Sequence, residues 1–439
     1  MSTYRLDRLF APASVALVGA SSRPGSLGHA VLTNLRRANP SVPPILVNPK
    51  HREIDGLPCL ARLADVARPV DLAVIAVPAG EVAAVVDDAC AGAAATAIIL
   101  TAGLGHGAGS IADRARAAAR RSGLRLVGPN CIGVVSPRAR LDASFLSKPA
   151  RDGNLALISQ SGAIAASLVE WADENAVGFS GVVSLGDQID VDFGDCLDHF
   201  ALDAHTRAIL LYIESVADAR KFLSAARAAA RAKPVIVAKA GRHAEGARAA
   251  LSHTGAMTGS DAVYDAAFAR AGLLRVADLE ELFAAAETLS RRQRLSGERI
   301  GFLTNGGGLG VLAVDRLADF GGAAATLSQG TLEALSAVLP STWSHANPVD
   351  IIGDADAGRY AAAMDVLLAS DDIDALVVLN CPTALVSSAA TAAAVAARAM
   401  ESRKAAAGTP GVRVADDVDG IGVRPGGGQH RGQRIERAL

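Results

Sequence analysis

Short apolar runs rich in β-branched residues alternate with Ala-rich stretches whose apolar positions recur at helical spacing along most of the chain. In the first part the pattern predicts strands at Ser14–Val18, Pro44–Val47, Asp71–Val77, Ala97–Thr101 and Arg125–Val127, with helices at about 26–38, 80–91 and 109–122. Apolar strands separated by 10–15-residue helices imply a parallel sheet covered on both faces. Residues 136–153, with Pro137, Pro149 and Gly153, read as a linker. The rhythm then restarts, with strands expected at Leu155–Ser159, Gly181–Ser184, Ala208–Ile213 and Val235–Lys239, and helices near 162–175, 191–203 and 218–231. A charged, turn-forming stretch from Arg291 to Glu298 marks a second boundary, after which strands are expected at Arg299–Thr304 and Ala375–Leu379. The predicted fold class is α/β with three doubly wound modules, at 1–135, 150–290 and 297–403, the last of them short of a full sheet. From 404 to 439 Gly and Arg crowd the sequence and periodicity vanishes, the pattern of a disordered tail or of a gene read out of frame.

Composition narrows the function classes. The 439 residues carry 43 Lys and Arg against 45 Asp and Glu, a net charge of -2 with no basic block, which argues against nucleic acid or anionic membrane as the main partner. Half the residues are hydrophobic, but the excess is alanine, and no run approaches the roughly 20 apolar residues of a spanning helix. Five widely spaced cysteines without Cys-x-x-Cys fit a reduced, cytoplasmic enzyme rather than a disulfide scaffold or a zinc module, and no metal site is expected.

The candidate chemistry sits at strand ends. Val18-Gly19-Ala20-Ser21-Ser22-Arg23-Pro24-Gly25-Ser26-Leu27-Gly28 follows the first strand and opens a helix, which aims backbone N–H groups and the positive helix end at an anion such as a phosphate. It departs from the Gly-x-Gly-x-x-Gly spacing. Lys50 also stands near the position where an NAD-binding fold carries a carboxylate, which favours a ligand with an extra phosphate, such as coenzyme A. The loops Thr101-Ala102-Gly103-Leu104-Gly105 and Gly128-Pro129-Asn130-Cys131-Ile132-Gly133 lie at further strand ends, and each reads equally as loop punctuation. Ser159-Gln160-Ser161-Gly162 is another strand–turn–helix start, with Ser161 as cap and phosphate at the free N–H groups. It is not a nucleophile elbow, because Gly-x-Ser-x-Gly is absent.

Glu214 ends the apolar strand Leu211-Tyr212-Ile213, where a carboxylate without a partner is costly. The expected partner is His253, in the small-residue loop Ser252-His253-Thr254-Gly255-Ala256-Met257-Thr258-Gly259-Ser260-Asp261. A neutral imidazole is a good nucleophile toward phosphorus, and a carboxylate on one ring nitrogen decides which nitrogen attacks. The third part adds Asn305-Gly306-Gly307-Gly308, a phosphate nest or a flexible turn, and a loop with Asp350 and Asp354, which are as readily solvated or capping carboxylates as functional ones.

Over residues 1 to about 403 this constellation resembles the NDP-forming acyl-CoA synthetases, the succinyl-CoA synthetase superfamily, in the module order of the α subunit of ADP-forming acetyl-CoA synthetase. The resemblance implies a Rossmann-like CoA-binding domain followed by two flavodoxin-like ligase domains. It implies transient phosphorylation of His253 supported by Glu214, CoA contacts from Gly19, Ala20, Ser21, Ser22, Lys50, Thr101, Ala102 and Gly103, and phosphohistidine held at the helix start Ser161-Gly162. ATP or ADP with Mg2+ would bind an ATP-grasp module, and no segment here resembles one. A β subunit or a fused domain is therefore the expected partner, beside the acyl-CoA, carboxylic acid and phosphate substrates. Two other readings are a CoA-binding regulatory or scaffold protein, which would need neither His253 nor Glu214, and an NAD-dependent oxidoreductase, which the first glycine loop and Lys50 disfavour.

Overall fold

The structure, a computed structural model, describes residues 3–39, 41–243, 245–246, 248, 260–290 and 297–405. It divides into two units, with the boundary between Arg292 and Gln293.

The first unit contains two seven-stranded sheets. In the first sheet, β1 (Val15–Val18), β2 (Ile45–Val47), β3 (Glu53–Ile54), β4 (Leu57–Leu60), β5 (Leu72–Ile75), β6 (Thr96–Ile99) and β7 (Arg125–Val127) take the order β3-β4-β2-β1-β5-β6-β7. All neighbours are parallel except β3 and β4. That hairpin was not among the expected strands. It turns on Asp55-Gly56, both at positive φ (49° and 78°), the backbone that a two-residue hairpin demands. The central strands β1 and β5 are apolar along their length because both faces are covered; Leu17, Leu72, Val74 and Ile98 pack on one side and Ala16, Ala73, Ile75 and Ile99 on the other.

The second sheet comprises β8 (Gly133–Ser136), β9 (Leu141–Ser144), β10 (Asp152–Ser159), β11 (Phe179–Ser184), β12 (Ala208–Ile213), β13 (Val235–Lys239) and β14 (Leu274–Val276), in the order β14-β13-β12-β10-β11-β8-β9. The stretch expected as a linker is thus partly sheet. β8 pairs antiparallel with β11 through Val135–Val182 and Val134–Val183, and β9 extends it. The apolar pairs Val134-Val135 are buried there, and Pro137 opens a single 3-10 turn between the two strands rather than a spacer. Arg125 joins the two sheets: its guanidinium contacts Asp190 at 2.9 Å and Asp195 at 3.0 Å, and Lys221 completes the network on Asp195 at 2.8 Å.

The second unit holds a three-stranded parallel sheet, β16-β15-β17, from β15 (Ile300–Thr304), β16 (Val349–Asp350) and β17 (Ala375–Leu379). Its core gathers Leu303, Trp343, Tyr360, Met364 and Leu367. In each sheet the chain steps to one side of the first parallel strand and later to the other. This creates the switch point where open α/β sheets take ligands at their C-terminal edge.

Candidate functional site: two clefts at sheet edges

The first cleft, about 620 Å³, lies over the switch between β1 and β5 and is lined by Gly19, Asn48, Lys50, Val77 and Glu81 among others. Gly19 takes φ +87°, and a Cβ there would lie 2.4 Å from the Ala76 carbonyl oxygen. Gly28 is held as tightly, since its Cβ would meet the Gly19 oxygen at 2.0 Å. The loop between them ends at Ser26, whose Oγ accepts from His29 N and caps the helix Leu27–Ala38. Ala20 is buried and its carbonyl accepts from Asn48 Nδ2 at 2.9 Å; Ser21 Oγ accepts from Arg23 N; Ser22 is exposed. Lys50 is exposed just past β2, its N–H donating to Asn48 Oδ1 at 3.0 Å.

The second cleft, about 720 Å³, opens between the C-terminal edges of the two sheets of the first unit. Leu100, Ala102, Asn130, Cys131 and Ile132 come from the first sheet's end loops, and Gln160, Ser161, Gly162, Asp187 and Glu214 from the second sheet. Thr101 stands beside it, with Oγ1 donating to the Val77 carbonyl at 2.6 Å, and Gly103 takes φ +80° with open space around it. The end loops interlock. A Cβ on Gly186 would strike the Pro129 oxygen at 2.1 Å, and Asp187 N donates to that oxygen at 2.9 Å.

Within this cleft Ser161 Oγ accepts from Ile164 N and caps the helix Gly162–Glu174, whose first turn borders the cavity. Gln160 Oε1 accepts the N–H groups of both Glu214 and Ser215 at 3.0 Å, and its Nε2 donates to Ser215 Oγ at 3.1 Å. Glu214 is 8% exposed. Burial raises Asp187 above the ordinary carboxylate range against the opposing Asn130 hydrogen bond, and it pushes the Cys131 thiol up to about 12, so that thiol is inert at neutral pH. Burial and the neighbouring Glu214 charge raise the Tyr212 phenol.

Ala102, Ser161, Gly162 and Glu214 therefore meet at one cleft, and Gly19 and Lys50 at another. His253 lies outside the described residues. Gln160 was the missed member; it stood in plain view between Ser159 and Ser161, but its partners are 54 and 55 residues away. Among the described residues no group of three or more His, Cys, Asp or Glu is arranged to hold a metal ion. No described helix is long and apolar enough to cross a membrane.

Family comparison matches the two sheets of the first unit separately. Residues 13–137 match the CoA binding domain, and residues 152–289 match the succinyl-CoA ligase like flavodoxin domain. The chain is 38% identical over 387 residues to the alpha subunit of ADP-forming acetate–CoA ligase I of Pyrococcus furiosus, covering 87% of this chain and 84% of that subunit. It is 38% identical over 382 residues to ADP-forming acetate–CoA ligase I of Archaeoglobus fulgidus, covering 86% of this chain and 55% of that protein. A solved structure, the dinucleotide forming acetyl-coenzyme A synthetase 1 of Ca. Korarchaeum cryptofilum in complex with phosphate and ADP, superposes with a TM-score of 0.86 at 36% identity, over 93% of this chain and 88% of that one. The chain belongs to the family of ADP-forming acyl-CoA ligases. It spans about half the length of the Archaeoglobus relative and of one from Methanocaldococcus jannaschii.

Proposed function

We propose that this chain is the α-type part of an ADP-forming acyl-CoA synthetase, interconverting acyl-CoA, phosphate and ADP with carboxylic acid, CoA and ATP. The observation that carries the reading is the second cleft, where a buried carboxylate, a capped helix start and the end loops of the coenzyme-type sheet border one cavity.

The first cleft holds the phosphate-bearing end of CoA, with Gly19 giving the backbone close approach and Lys50 supplying charge. The thioester end reaches the second cleft beside Ala102 and the loop after β7. There a phosphate oxygen attacks the thioester carbonyl, the C–S bond breaks, and CoA leaves as the thiol. An imidazole nitrogen of His253 then attacks phosphorus, and the P–O bond to the acyl group breaks with release of the carboxylate. Glu214 holds the other ring nitrogen and stabilises the cation that forms. The N–H groups at the start of the helix Gly162–Glu174 meet the phosphoryl oxygens as charge moves onto them. Transfer to ADP, with Mg2+, takes place on an ATP-grasp module supplied by a partner subunit or a fused region.

Labelled phosphate with a panel of acyl-CoAs tests the half-reaction, which needs no nucleotide. Acid-labile, base-stable label on the wild type and none on His253→Ala is the expected result. CoA and acyl-CoA binding with no label would favour the non-catalytic, scaffold-type reading.

A further inference from the structure

Between the end of β13 at Lys239 and the helix Asp261–Ala271 runs the segment 241–260, which contains His253. The described residues at its two roots form a cluster that the reaction as outlined does not use. Lys239 ends the otherwise apolar strand Val235-Ile236-Val237-Ala238 and is 4% exposed. Its Nζ donates to the Ala240 carbonyl and lies 4.6 Å over the ring of Tyr264. Tyr264 belongs to the helix that follows the segment, and its hydroxyl accepts from Val216 N at 3.3 Å. Val216 is two residues beyond Glu214, in the turn whose first two N–H groups are held by Gln160.

Tyr264 thus meets the Glu214 turn with its hydroxyl and the entry root with its ring. The exit root is fixed by Arg275, which pairs with Asp261 at 2.5 Å and Asp265 at 3.1 Å, and Arg242 near the entry donates to the Ala277 carbonyl at 2.6 Å. A cation placed at a buried strand end is expensive, and an apolar side chain of the same length would fill that space without the desolvation penalty. Burial does hold the Lys239 ammonium below the ordinary lysine range, with Asp261 and Glu214 acting in the opposite direction. A cation kept there at such a cost points to a role for the charge.

We propose that Lys239 and Tyr264 are positioning residues that set the Glu214 carboxylate against the two roots of the segment bearing His253. The proposal rests on the phosphohistidine reading above. The attack geometry of an imidazole on phosphorus tolerates little displacement, and a shift of about 1 Å costs on the order of a hundredfold in rate. The ring and the ammonium act by holding the relative placement.

Three variants test it: Lys239→Met, Lys239→Arg and Tyr264→Phe, each assayed for labelling by phosphate plus acyl-CoA, for CoA affinity by calorimetry and for thermal midpoint. Lys239→Met is expected to slow labelling by about a hundredfold while CoA affinity stays within about twofold of the wild type. Lys239→Arg keeps the cation and restores most of the rate, and Tyr264→Phe, which loses only the hydroxyl contact to Val216, slows labelling by roughly tenfold. Labelling by Lys239→Met at the wild-type rate overturns the positioning role. A fall in rate matched by equal falls in CoA affinity and thermal midpoint also overturns it, leaving a packing role. A wild-type chain that binds CoA but never labels removes the phosphohistidine reading, and the proposal with it.

Discussion

The two clefts are built by opposite means. The Gly19–Lys50 cleft is made largely of backbone: a glycine at φ +87°, a second glycine packed onto it, and a capped helix, with its two cationic side chains, Lys50 and Arg62, exposed. The Gln160–Glu214 cleft is tied together by a half-buried side chain, Gln160, that holds the backbone N–H groups of buried Glu214 and of Ser215 across 54 and 55 residues. A site of the first kind binds a large, charged, mobile ligand through N–H groups and a steering charge. A site of the second kind fixes a carboxylate in place, as a group transfer requires. On the proposed function, the first cleft takes the coenzyme and the second carries out the phosphoryl transfer.

The largest separation between the clefts is expected from Glu214→Gln. It should depress phosphohistidine formation by about 10²–10⁴-fold and leave CoA affinity unchanged in calorimetry. Gly28→Ala should do the reverse. Its new Cβ falls 2.0 Å from the Gly19 oxygen, so the loop must shift, costing about 3 kcal/mol in denaturant unfolding and most of the CoA affinity. Gln160→Leu strands the N–H groups of Glu214 and Ser215 and should cost about 2–3 kcal/mol, with the loss of labelling exceeding any loss of CoA binding.

Away from both clefts, His199 stacks on Phe10 with ring centroids 4.1 Å apart, and burial lowers its pKa from 6.5 to about 4. The folded state binds fewer protons than the unfolded one between those values, so stability is full above about 6.5 and declines as the pH falls toward 4, by on the order of 3 kcal/mol. His199→Phe should flatten that decline in pH-dependent unfolding. The smallest effect belongs to Lys50→Ala: a several-fold weaker CoA affinity at low ionic strength that shrinks as salt is added.

The same contrast explains what could be read from the sequence. The β12 and β13 strands stand where their apolar runs placed them, at Ala208–Ile213 and Val235–Lys239, because a fully buried parallel strand leaves a continuous local signal. Gly19 and Gly28 were legible as a loop for the same reason: a turn, a close approach and a helix start are all written in neighbouring residues. β8 was missed because its short apolar run sits between a Gly/Pro loop and Pro137, and β9 because Leu141-Asp142-Ala143-Ser144 alternates apolar and polar residues between Pro137 and Pro149; pairing of β8 with β11, and of β9 with β8, makes them sheet. Gln160, Lys239 and Tyr264 escaped because their roles depend on partners brought together by the fold. Lys239 nevertheless carried a hint equal to that of Glu214, a charged residue closing an apolar strand.

One measurement tests directly whether the clefts divide the work. Acyl phosphate delivers the phosphoryl group without the CoA step, so labelling from acyl phosphate can be set beside labelling from acyl-CoA plus phosphate in Lys50→Glu and Glu214→Gln. The account predicts that Lys50→Glu labels at the wild-type rate from acyl phosphate and poorly from acyl-CoA, while Glu214→Gln labels from neither. Equal losses from both donors in Lys50→Glu, or normal labelling of Glu214→Gln from acyl phosphate, would contradict it.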